Sequence, residues 1–462
     1  MRRRQNTNPA LLALVAEGFL MRLGFGIISF TLPLYARHLG LSLAETGALI
    51  ALTGVVKVAL KPAAGWLADR VGAKRGLVAA LGLRSLVSFL LAFASAPWHL
   101  YSIRTIHGLS TSLRDPAVNA LIAESGDKKA MGSAFAWYFT AKSLAGALGK
   151  AVAGVLLGLT ASNFSAVFLM TWAISSLTLP AVIFFVPGVD RKRVEQEQER
   201  LSRSVLSEDS AGPEALGARQ SFYSKAFSVV GLGFLISTTA SMIDRFYPIL
   251  ATEYAGMTVA QAGAVYLGSA VVTLVAGPLF GWMSDRFGRK PIVAVRSIAN
   301  AGSSLLYLLV SNGVGFTAGK LLDDGGKAGF RPVWGALKAD VSSLKKSRRA
   351  QMMGLMDVGD DAGDVVGPIG GGLLWDMWGI AGLLVTRIAL AVLTEVYAAT
   401  VIWRRPSERP AATRRRPLLH WRHRLRRKLS GEPSRPRASS GSQGAKSPTR
   451  SGRPGSARPG AP

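Results

Sequence analysis

The chain has 462 residues, 49% of them hydrophobic, and 55 Lys and Arg against 27 Asp and Glu give a net charge of +28. It contains no cysteine, which excludes disulfide bonds, thiolate metal sites and thiol nucleophiles. Length alone would allow two or three soluble domains. However, several apolar runs approach or exceed the roughly 20 residues that cross a bilayer as a helix.

Apolar segments recur along the chain in two sets of six, which we number spans 1 to 12. They are predicted at 10–36, 44–66, 76–96, 98–122, 132–159, 166–187, 226–251, 259–283, 292–312, 313–338, 351–375 and 381–403. Span 1 follows three arginines and has no small-residue cleavage site after it, so we interpret it as a retained span and not a signal peptide. The sequence thus predicts an all-α membrane protein with twelve transmembrane helices in two six-helix repeats.

Positive charge is concentrated in the C-terminal tail and in alternate loops. Residues 404–462 hold 17 Lys and Arg and two Glu, and they account for +15 of the net charge of +28. The opposite loops are nearly free of Lys and Arg apart from Arg37. By the positive-inside rule, both termini and the central loop are predicted to be cytoplasmic, in a bacterial-type inner membrane or one derived from it. Membrane orientation explains the charge better than a nucleic-acid partner does.

One stretch of sequence occurs twice. Gly65-Trp-Leu-Ala-Asp-Arg-Val-Gly-Ala-Lys-Arg75 ends span 2, and Gly281-Trp-Met-Ser-Asp-Arg-Phe-Gly-Arg-Lys-Pro291 ends span 8, 216 residues later. At the same offset, Gly40 to Ala48 matches Gly256 to Ala264. The register holds over about 85 residues of each half. Parallel six-helix repeats with substrate held near the bilayer midplane are a known transporter plan.

Composition divides the chain into four parts. Residues 1–187 and 226–403 hold six spans each, and the polar stretch 188–225 between them is predicted to be a cytoplasmic linker. Residues 404–462 are rich in Arg, Pro, Ser and Gly, which predicts a disordered basic tail. Within the tail, residues 414–429 place Leu and Trp at helical spacing amid arginines. They fit either an interfacial amphipathic helix that contacts anionic lipid or a solvated tail.

The repeated Gly-x-x-x-Asp-Arg-x-Gly-x-Lys loop, the 6+6 layout and the Arg104-x-x-x-Gly108 element of span 4 resemble the major facilitator superfamily. The resemblance covers about residues 10–403 and implies two six-helix bundles that rock around a central site. No cofactor is expected. It also implies that the loop residues brace one conformation as a gate; the alternative is a topological anchor of positive charge. The expected gate residues are Gly65, Asp69, Arg70, Gly72, Gly281, Asp285, Arg286 and Gly288.

Spans 4, 5, 10 and 11 carry many charged residues, although each charge near mid-bilayer costs about 2.5–3.5 kcal/mol. On span 10 the charges fall in one helical stripe about 100° wide, and on span 11 four Asp share one face. Such stripes are expected to face a cavity or each other. Arg22 is a further candidate, whereas Asp244 and Arg245 are expected nearer the outside. The predicted substrate or proton-coupling residues are Asp323, Asp324, Asp357, Asp360, Asp361, Asp364, Lys142, Arg104, His107, Glu17, Lys320, Lys327 and Arg331.

Two interpretations of these charges compete. Either the carboxylates bind a cation or carry protons, or Asp pairs with Lys and Arg across the two halves and stabilises one gate. Span 11 offers four Asp and no base, more than an ion-pair lock needs, so we favour binding or proton relay. The leading hypothesis is a secondary active transporter, proton-coupled, with an acidic central site suited to a cation.

Two alternatives remain open. Lys320 to Trp334 resembles the corresponding region of magnetosome-associated permeases, a branch thought to move iron, which suggests a permease for iron or another divalent metal. The other alternative is a non-transporting sensor or scaffold that recruits partners through its tail. An enzyme is not predicted, because no nucleophile–base arrangement or hydrolytic metal motif occurs. We expect a monomer in the lipid bilayer that handles a small molecule or ion.

Overall fold

The computed structural model describes residues 9–125, 131–186, 214–343 and 349–402, and within these ranges the chain is helical with no strand. The all-α prediction is therefore confirmed. The helices are α1 (Pro9–His38), α2 (Leu43–Val71), α3 (Ala73–Leu91), α4 (Pro97–Ser125), α5 (Met131–Leu159), α6 (Phe164–Ser176, continued by Thr178–Phe185), α7 (Glu214–Asp244, followed by Tyr247–Ile249 and a π-helical turn, Leu250–Tyr254), α8 (Val259–Phe287), α9 (Arg289–Leu309), α10 (Gly313–Ser343) and α11 (Arg349–Tyr397, followed by a π-helical turn, Ala398–Ile402).

Helix α11 contains both span 11 and span 12. Gly379 interrupts it with φ 67° and ψ −176°, a backbone conformation that residues other than glycine rarely adopt. In the described part of the chain, eight helical segments are long and apolar enough to cross a membrane, and one of them, Met352–Val401, covers both spans. Helices α4 and α10, which carry charged stripes, are not among the eight. Twelve crossings therefore stay a prediction.

The two copies of the repeated motif form the same turn. Gly72 separates α2 from α3 with φ 92°, and Gly288 separates α8 from α9 with φ 89°. A side chain at either position would strain the backbone, which explains why both copies keep the glycine. We call the end of the bundle that carries these turns the motif end, and the opposite end the far end.

The N-terminal half (α1–α6) and the C-terminal half (α7–α11) approach each other closely toward the far end. A Cβ atom built on Gly263 would lie 2.6 Å from the Cα of Gly154, and one built on Gly47 would lie 2.3 Å from the carbonyl oxygen of Pro368. Gly47 and Gly263 are equivalent residues of the repeat, 216 positions apart. Equivalent glycines thus bring α2 against α11 and α8 against α5, because only their small size permits these distances.

An apolar cluster joins the two halves at the same end. It contains Phe30 and Leu157 of the N-terminal half and Phe246, Tyr247 and Leu383 of the C-terminal half, all buried. Separate clusters fill the interior of each half. The far end is therefore closed by apolar packing, while the polar residues described next come from the middle of the helices.

Parts of the predicted domain plan fall outside the described residues. This applies to the basic tail 404–462, with its candidate amphipathic segment, and to most of the linker 188–225. The exception is the end of the linker, because α7 begins at Glu214. The boundary predicted at residue 226 therefore lies inside a helix.

Candidate functional site

A cavity of about 230 Å³ lies between the two halves. Helices α1 to α5 supply most of its wall, and the C-terminal half adds residues from the end of α7 and from α11. Of the predicted site residues, Arg104, His107, Lys142, Asp361 and Asp364 line it. Its charged wall residues are Arg22, Lys57, Arg84, Arg104, Arg114, Lys142, Arg245, Asp115, Asp361 and Asp364.

A buried ion pair between Glu17 and Arg114 joins α1 to α4 beside the cavity. Arg114 Nη2 donates to Glu17 Oε1 at 2.8 Å and Oε2 at 2.9 Å, and Arg114 Nε donates to Oε1 at 2.9 Å. The same Nη2 lies 2.9 Å from the hydroxyl oxygen of Tyr138. Glu17 is fully buried. Because both of its oxygens are occupied by the guanidinium, Glu17 positions Arg114 and does not face the cavity as a free carboxylate.

Lys57 of α2 and Asp361 of α11 meet inside the cavity and link the two halves. Lys57 Nζ lies 3.2 Å from Asp361 Oδ1 and 4.0 Å from Asp115 Oδ2. Asp364, one turn further along α11, is exposed in the cavity. Among the described residues, no Lys or Arg nitrogen lies within 4.0 Å of the Asp364 carboxylate. The cavity therefore contains one paired and one unpaired carboxylate on the same helix.

The hydrogen bond between Arg84 and His107 sets the state of the histidine. Arg84 Nη2 lies 3.1 Å from His107 Nε2. A guanidinium can only donate, so Nε2 must carry the lone pair and the ring proton must be on Nδ1. His107 is 1% exposed, and its Nδ1 has no hydrogen-bond partner among the described residues. His107 in this arrangement is a neutral donor whose Nε2 is already occupied.

Aromatic and backbone groups hold the other arginines of the wall. The guanidinium carbons of Arg22 and Arg84 lie 4.8 Å and 5.2 Å from the centre of the Phe25 ring, within the range of a cation–π contact. Arg104 donates to the carbonyl oxygens of Leu49 at 3.4 Å and Ile50 at 3.0 Å. Arg104 therefore fastens α4 to α2 with part of its donor set.

The span 10 residue Asp323 lies in a buried network away from the cavity. Its Oδ1 accepts from Arg296 Nη1 at 3.2 Å and from Arg387 Nη2 at 2.7 Å. Arg387 is fully buried and also donates to hydroxyl and amide oxygens of α9. Two guanidinium groups around one carboxylate join α9, α10 and the second part of α11. This geometry indicates a packing role for Asp323 in the C-terminal half.

A second network contains Lys320, Asp324 and Lys327 of α10 together with Asp244 at the end of α7. Lys320 Nζ lies 2.8 Å from Asp244 Oδ1 and 3.0 Å from Asp324 Oδ1. Lys327 Nζ lies 3.0 Å from Asp244 Oδ2. Asp244 was expected nearer the outside, but it faces α10 and neutralises the two lysines. With two acids and two bases, the network carries no net charge.

Asp357 and Asp360 of α11 both bind Lys338 of α10. Lys338 Nζ lies 2.5 Å from Asp357 Oδ1 and 2.9 Å from Asp360 Oδ2, which also accepts from Trp334 Nε1 at 3.0 Å. The expected single acidic face of span 11 is thus divided. Neighbouring helices α10 and α2 supply the bases that span 11 itself lacks.

Arg331, the last of the predicted span 10 residues, also lies outside the cavity wall. Its Nη1 donates to Ser143 Oγ of α5 at 3.3 Å. This contact joins α10 of the C-terminal half to α5 of the N-terminal half.

The expected gate is described only in part. The side chains of Asp69 and Asp285 lie outside the described part of the structure. Arg70 is exposed at the end of α2, and Gly65 and Gly281 lie within α2 and α8. The guanidinium carbon of Arg286 lies 5.5 Å from the centre of the Trp282 ring. The gating role of this motif stays a prediction.

Polar contacts at the far end were missed by sequence reasoning. Arg37 Nε lies 3.2 Å from Glu253 Oε1. The carboxylate of Asp376 accepts from the backbone N–H groups of Leu43 at 3.2 Å and Ala44 at 2.7 Å. A carboxylate is favoured there, because these N–H groups belong to the N-terminus of α2. The one signal in the sequence was Arg37, a lone basic residue among loops otherwise nearly free of Lys and Arg.

Lys57 and Arg84 were also missed as site residues. Arg84 is the single charged residue of span 3, and Lys57 lies in the interior of span 2. An ionisable residue within a membrane span marks a functional position by default, so both could have been found. Arg245 was placed too far out, because α7 is followed by further helical turns that extend it beyond Asp244.

Comparison with known proteins supports one family. A family model described as Major Facilitator Superfamily matches residues 16–243 and 229–431. The chain is 22% identical to multidrug resistance protein 2 of Bacillus subtilis (strain 168) over 365 residues, 79% of this chain and 88% of that protein. It is 24% identical to multidrug resistance protein 1 of the same organism over 412 residues, 88% of this chain and 100% of that protein.

Solved structures of transporters share the fold. The nucleoside transporter NupG has a TM-score of 0.65 at 16% identity, covering 85% of this chain and 98% of that chain. A POT family transporter in complex with 5-aminolevulinic acid has a TM-score of 0.66 at 14% identity, covering 85% of this chain and 96% of that chain. The resemblance in the sequence is confirmed, and so is the expectation that the protein is not an enzyme. The chain belongs to the major facilitator superfamily of membrane transport proteins.

Proposed function

We propose that this protein moves a small solute across the membrane by alternating access and that the central cavity is the solute-binding site. The observation that carries the proposal is the meeting of Lys57 and Asp361, which come from different halves, inside the cavity. Any rocking of one half against the other must change this contact. A site built from both halves can therefore couple solute binding to the movement that exposes it to the other side.

The packing of the two halves supports an inward-facing state. The glycine contacts of α5 with α8 and of α2 with α11, the apolar cluster and the Arg37–Glu253 pair all lie toward the far end. The positive charge of the loops at the motif end assigns that end to the cytoplasm by the positive-inside rule. We infer that the cavity in this state is reached from the cytoplasmic side, in an inner membrane or one derived from it.

Proton coupling is the proposed source of energy, and Asp364 is the proposed proton carrier. Its carboxylate lines the cavity without a Lys or Arg nitrogen within 4.0 Å among the described residues, so it can exchange a proton with water there. Asp361, held by Lys57, is instead placed to sense the relative position of the two halves. On α11, Asp364 would then carry the proton, and Asp361 would respond to the relative position of the two halves.

The geometry does not favour the acidic site for a cation that the sequence suggested. Six of the seven predicted carboxylates are already bound to Lys or Arg. Within the described ranges, no group of three His, Asp and Glu side chains is placed to hold a metal ion. We therefore do not propose that the protein transports iron or another divalent metal. The bound carboxylates are those of Glu17, Asp323, Asp324, Asp357, Asp360 and Asp361.

Reconstitution tests the proposal directly. We would incorporate the purified protein into proteoliposomes that enclose a pH-sensitive dye, and add radiolabelled carboxylates, phosphate compounds and organic cations in turn. A transporter of the proposed kind accumulates one of these classes of compound inside the proteoliposomes under an inward proton gradient. The enclosed dye then reports acidification of the interior when that class of compound is added. Absence of accumulation and exchange for every class, beside protein-free liposomes, would contradict the proposal.

Deleting residues 404–462 separates transport from the scaffold alternative. Unchanged solute flux in the truncated protein is expected for a transporter. Loss of localisation or of complex formation, with no flux in either form, would favour a scaffold. Reporter fusions at the two termini would test the proposed cytoplasmic location of both, and the mass of the detergent-solubilised protein would test the predicted monomer.

A further inference from the structure

The cavity wall carries positive charge that the described protein groups do not neutralise. Seven Lys and Arg side chains and three Asp side chains line it. Glu17, bound to Arg114 behind the wall, supplies one further negative charge. Three positive charges therefore remain in excess in a region enclosed by helices.

The excess resides on arginines that have no carboxylate partner. Among the residues that the structure describes, no carboxylate oxygen lies within 4.0 Å of Arg22, Arg84 or Arg245. A guanidinium keeps its charge in proteins, so these groups cannot become neutral by losing a proton. Arg84 is 7% exposed, and an unpaired charge that is largely withdrawn from water is unfavourable. A counter-ion inside the cavity would remove this penalty.

The histidine in the wall points to the same chemistry. Arg84 occupies His107 Nε2, so Nδ1 carries the proton and is a donor. That donor is buried and has no hydrogen-bond partner among the described side chains and backbone. A buried donor without an acceptor costs free energy, and an oxygen of a bound ligand would satisfy it. A ligand without an acceptor atom could not.

We infer that the cavity binds a small anion with a carboxylate, phosphate or sulfate group, held by Arg22 and Arg84 with His107 and Arg245. Arg22 and Arg84 both lie against the Phe25 ring, so their donors converge on one region. Planar guanidinium groups bind such oxyanions through paired hydrogen bonds. A volume of about 230 Å³ is below the roughly 300–1,000 Å³ of sites for drug-sized ligands, which indicates a small solute. The inference rests on the proposed use of this cavity as the solute site.

Binding to the purified full-length protein in detergent tests the inference without requiring transport. The probes are succinate, inorganic phosphate, glycerol 3-phosphate and sulfate, with tetraphenylphosphonium as a cationic comparison. Thermal stabilisation and calorimetry would be measured for the wild type and for Arg84→Gln, Arg22→Gln and Arg245→Gln. Arg75→Gln removes one positive charge at an exposed position outside the cavity and is the matched control.

At least one anion is expected to bind the wild type and the Arg75→Gln protein, and the class that binds most tightly distinguishes carboxylate from phosphate or sulfate. Each cavity variant that elutes as a folded monodisperse protein is expected to bind it about tenfold or more weakly, since a charge-assisted hydrogen bond is lost. Stabilisation by tetraphenylphosphonium alone, or equal anion affinity in every variant, would overturn the inference. Anion binding without flux in proteoliposomes would instead count against transport and leave the anion site standing.

Discussion

Arg37 and Glu253 occupy equivalent positions in the two repeats, 216 residues apart, and they bind each other. Arg37 Nε lies 3.2 Å from Glu253 Oε1, and Arg37 Nη2 lies 3.3 Å from Oε2. Equivalent residues of a two-fold repeat can touch only near the axis that relates the repeats. The pair therefore lies near the pseudo-two-fold axis at the far end, where it joins the two halves.

Reversing one charge of this pair is expected to raise the fraction of molecules in which the far end is open. In Arg37→Glu, attraction becomes repulsion. An exposed pair contributes about 0.2–1 kcal/mol, so the equilibrium between closed and open should shift by up to about fivefold. The chain has no cysteine, so Leu157→Cys gives a single reporter in the apolar cluster that closes this end. Its labelling by a membrane-impermeant maleimide should become faster.

The charge-reversed double variant, Arg37→Glu with Glu253→Arg, provides the matched control. The two charges attract each other again with their positions exchanged. The labelling rate of Leu157→Cys should therefore return toward the rate in the protein that keeps Arg37 and Glu253. If the single and the double variants label equally fast, the pair does not help to hold the far end closed.

A methyl group at Gly263 is expected to disturb the contact between α5 and α8. Its Cβ would lie 2.6 Å from the Cα of Gly154, and because that neighbour is backbone the helices themselves must move apart. Overpacking of this kind costs about 1–3 kcal/mol. Gly263→Ala should therefore lower the thermal unfolding midpoint and reduce flux. Gly335→Ala, where a Cβ meets nothing within 4 Å, should not. Equal midpoints would show that the close approach is not required.

Removing the charge of Asp323 is expected to prevent folding of the C-terminal half. Asp323→Asn would leave Arg296 and Arg387 buried without a carboxylate, a loss of about 3–5 kcal/mol for a broken buried pair. The amount of monodisperse protein extracted from membranes should fall sharply. Asp364→Asn, which breaks no ion pair in the described part of the chain, should accumulate like the wild type. Comparable yields for the two would mean that Asp323 is not a packing residue.

Asp364→Asn is expected to uncouple transport from the proton gradient. An amide cannot carry the proton, so accumulation against a solute gradient and acidification of enclosed dye should both be lost. Exchange of labelled for unlabelled solute across the membrane needs no proton movement and should persist. Glu45→Gln, an exposed carboxyl at the far end, is the matched control and should retain both activities. Proton-driven accumulation in Asp364→Asn would assign coupling to another group.

Much of the helix order could be predicted, because each apolar run is itself long enough to form a helix that crosses a bilayer. The pairing of charges could not. Span 11 has four Asp and no base, and this suggested an acidic site. In the structure Lys338 and Lys57 supply the missing bases from α10 and α2. A helical stripe shows which residues share a face, but the groups that meet this face depend on the neighbouring helix and its rotation.

The all-helical membrane fold, the duplication and the family can be recognised from the sequence, because these depend on local apolarity and on a motif repeated within one chain. Which charges face the cavity and which neutralise one another depends on the packing of the helices. Asp323 and Asp361 look alike on their helices, yet one is buried between two arginines and the other meets Lys57 between the halves. The reason is that the free energy of a charge in a membrane protein depends on the groups across from it, and distant parts of the chain supply those groups.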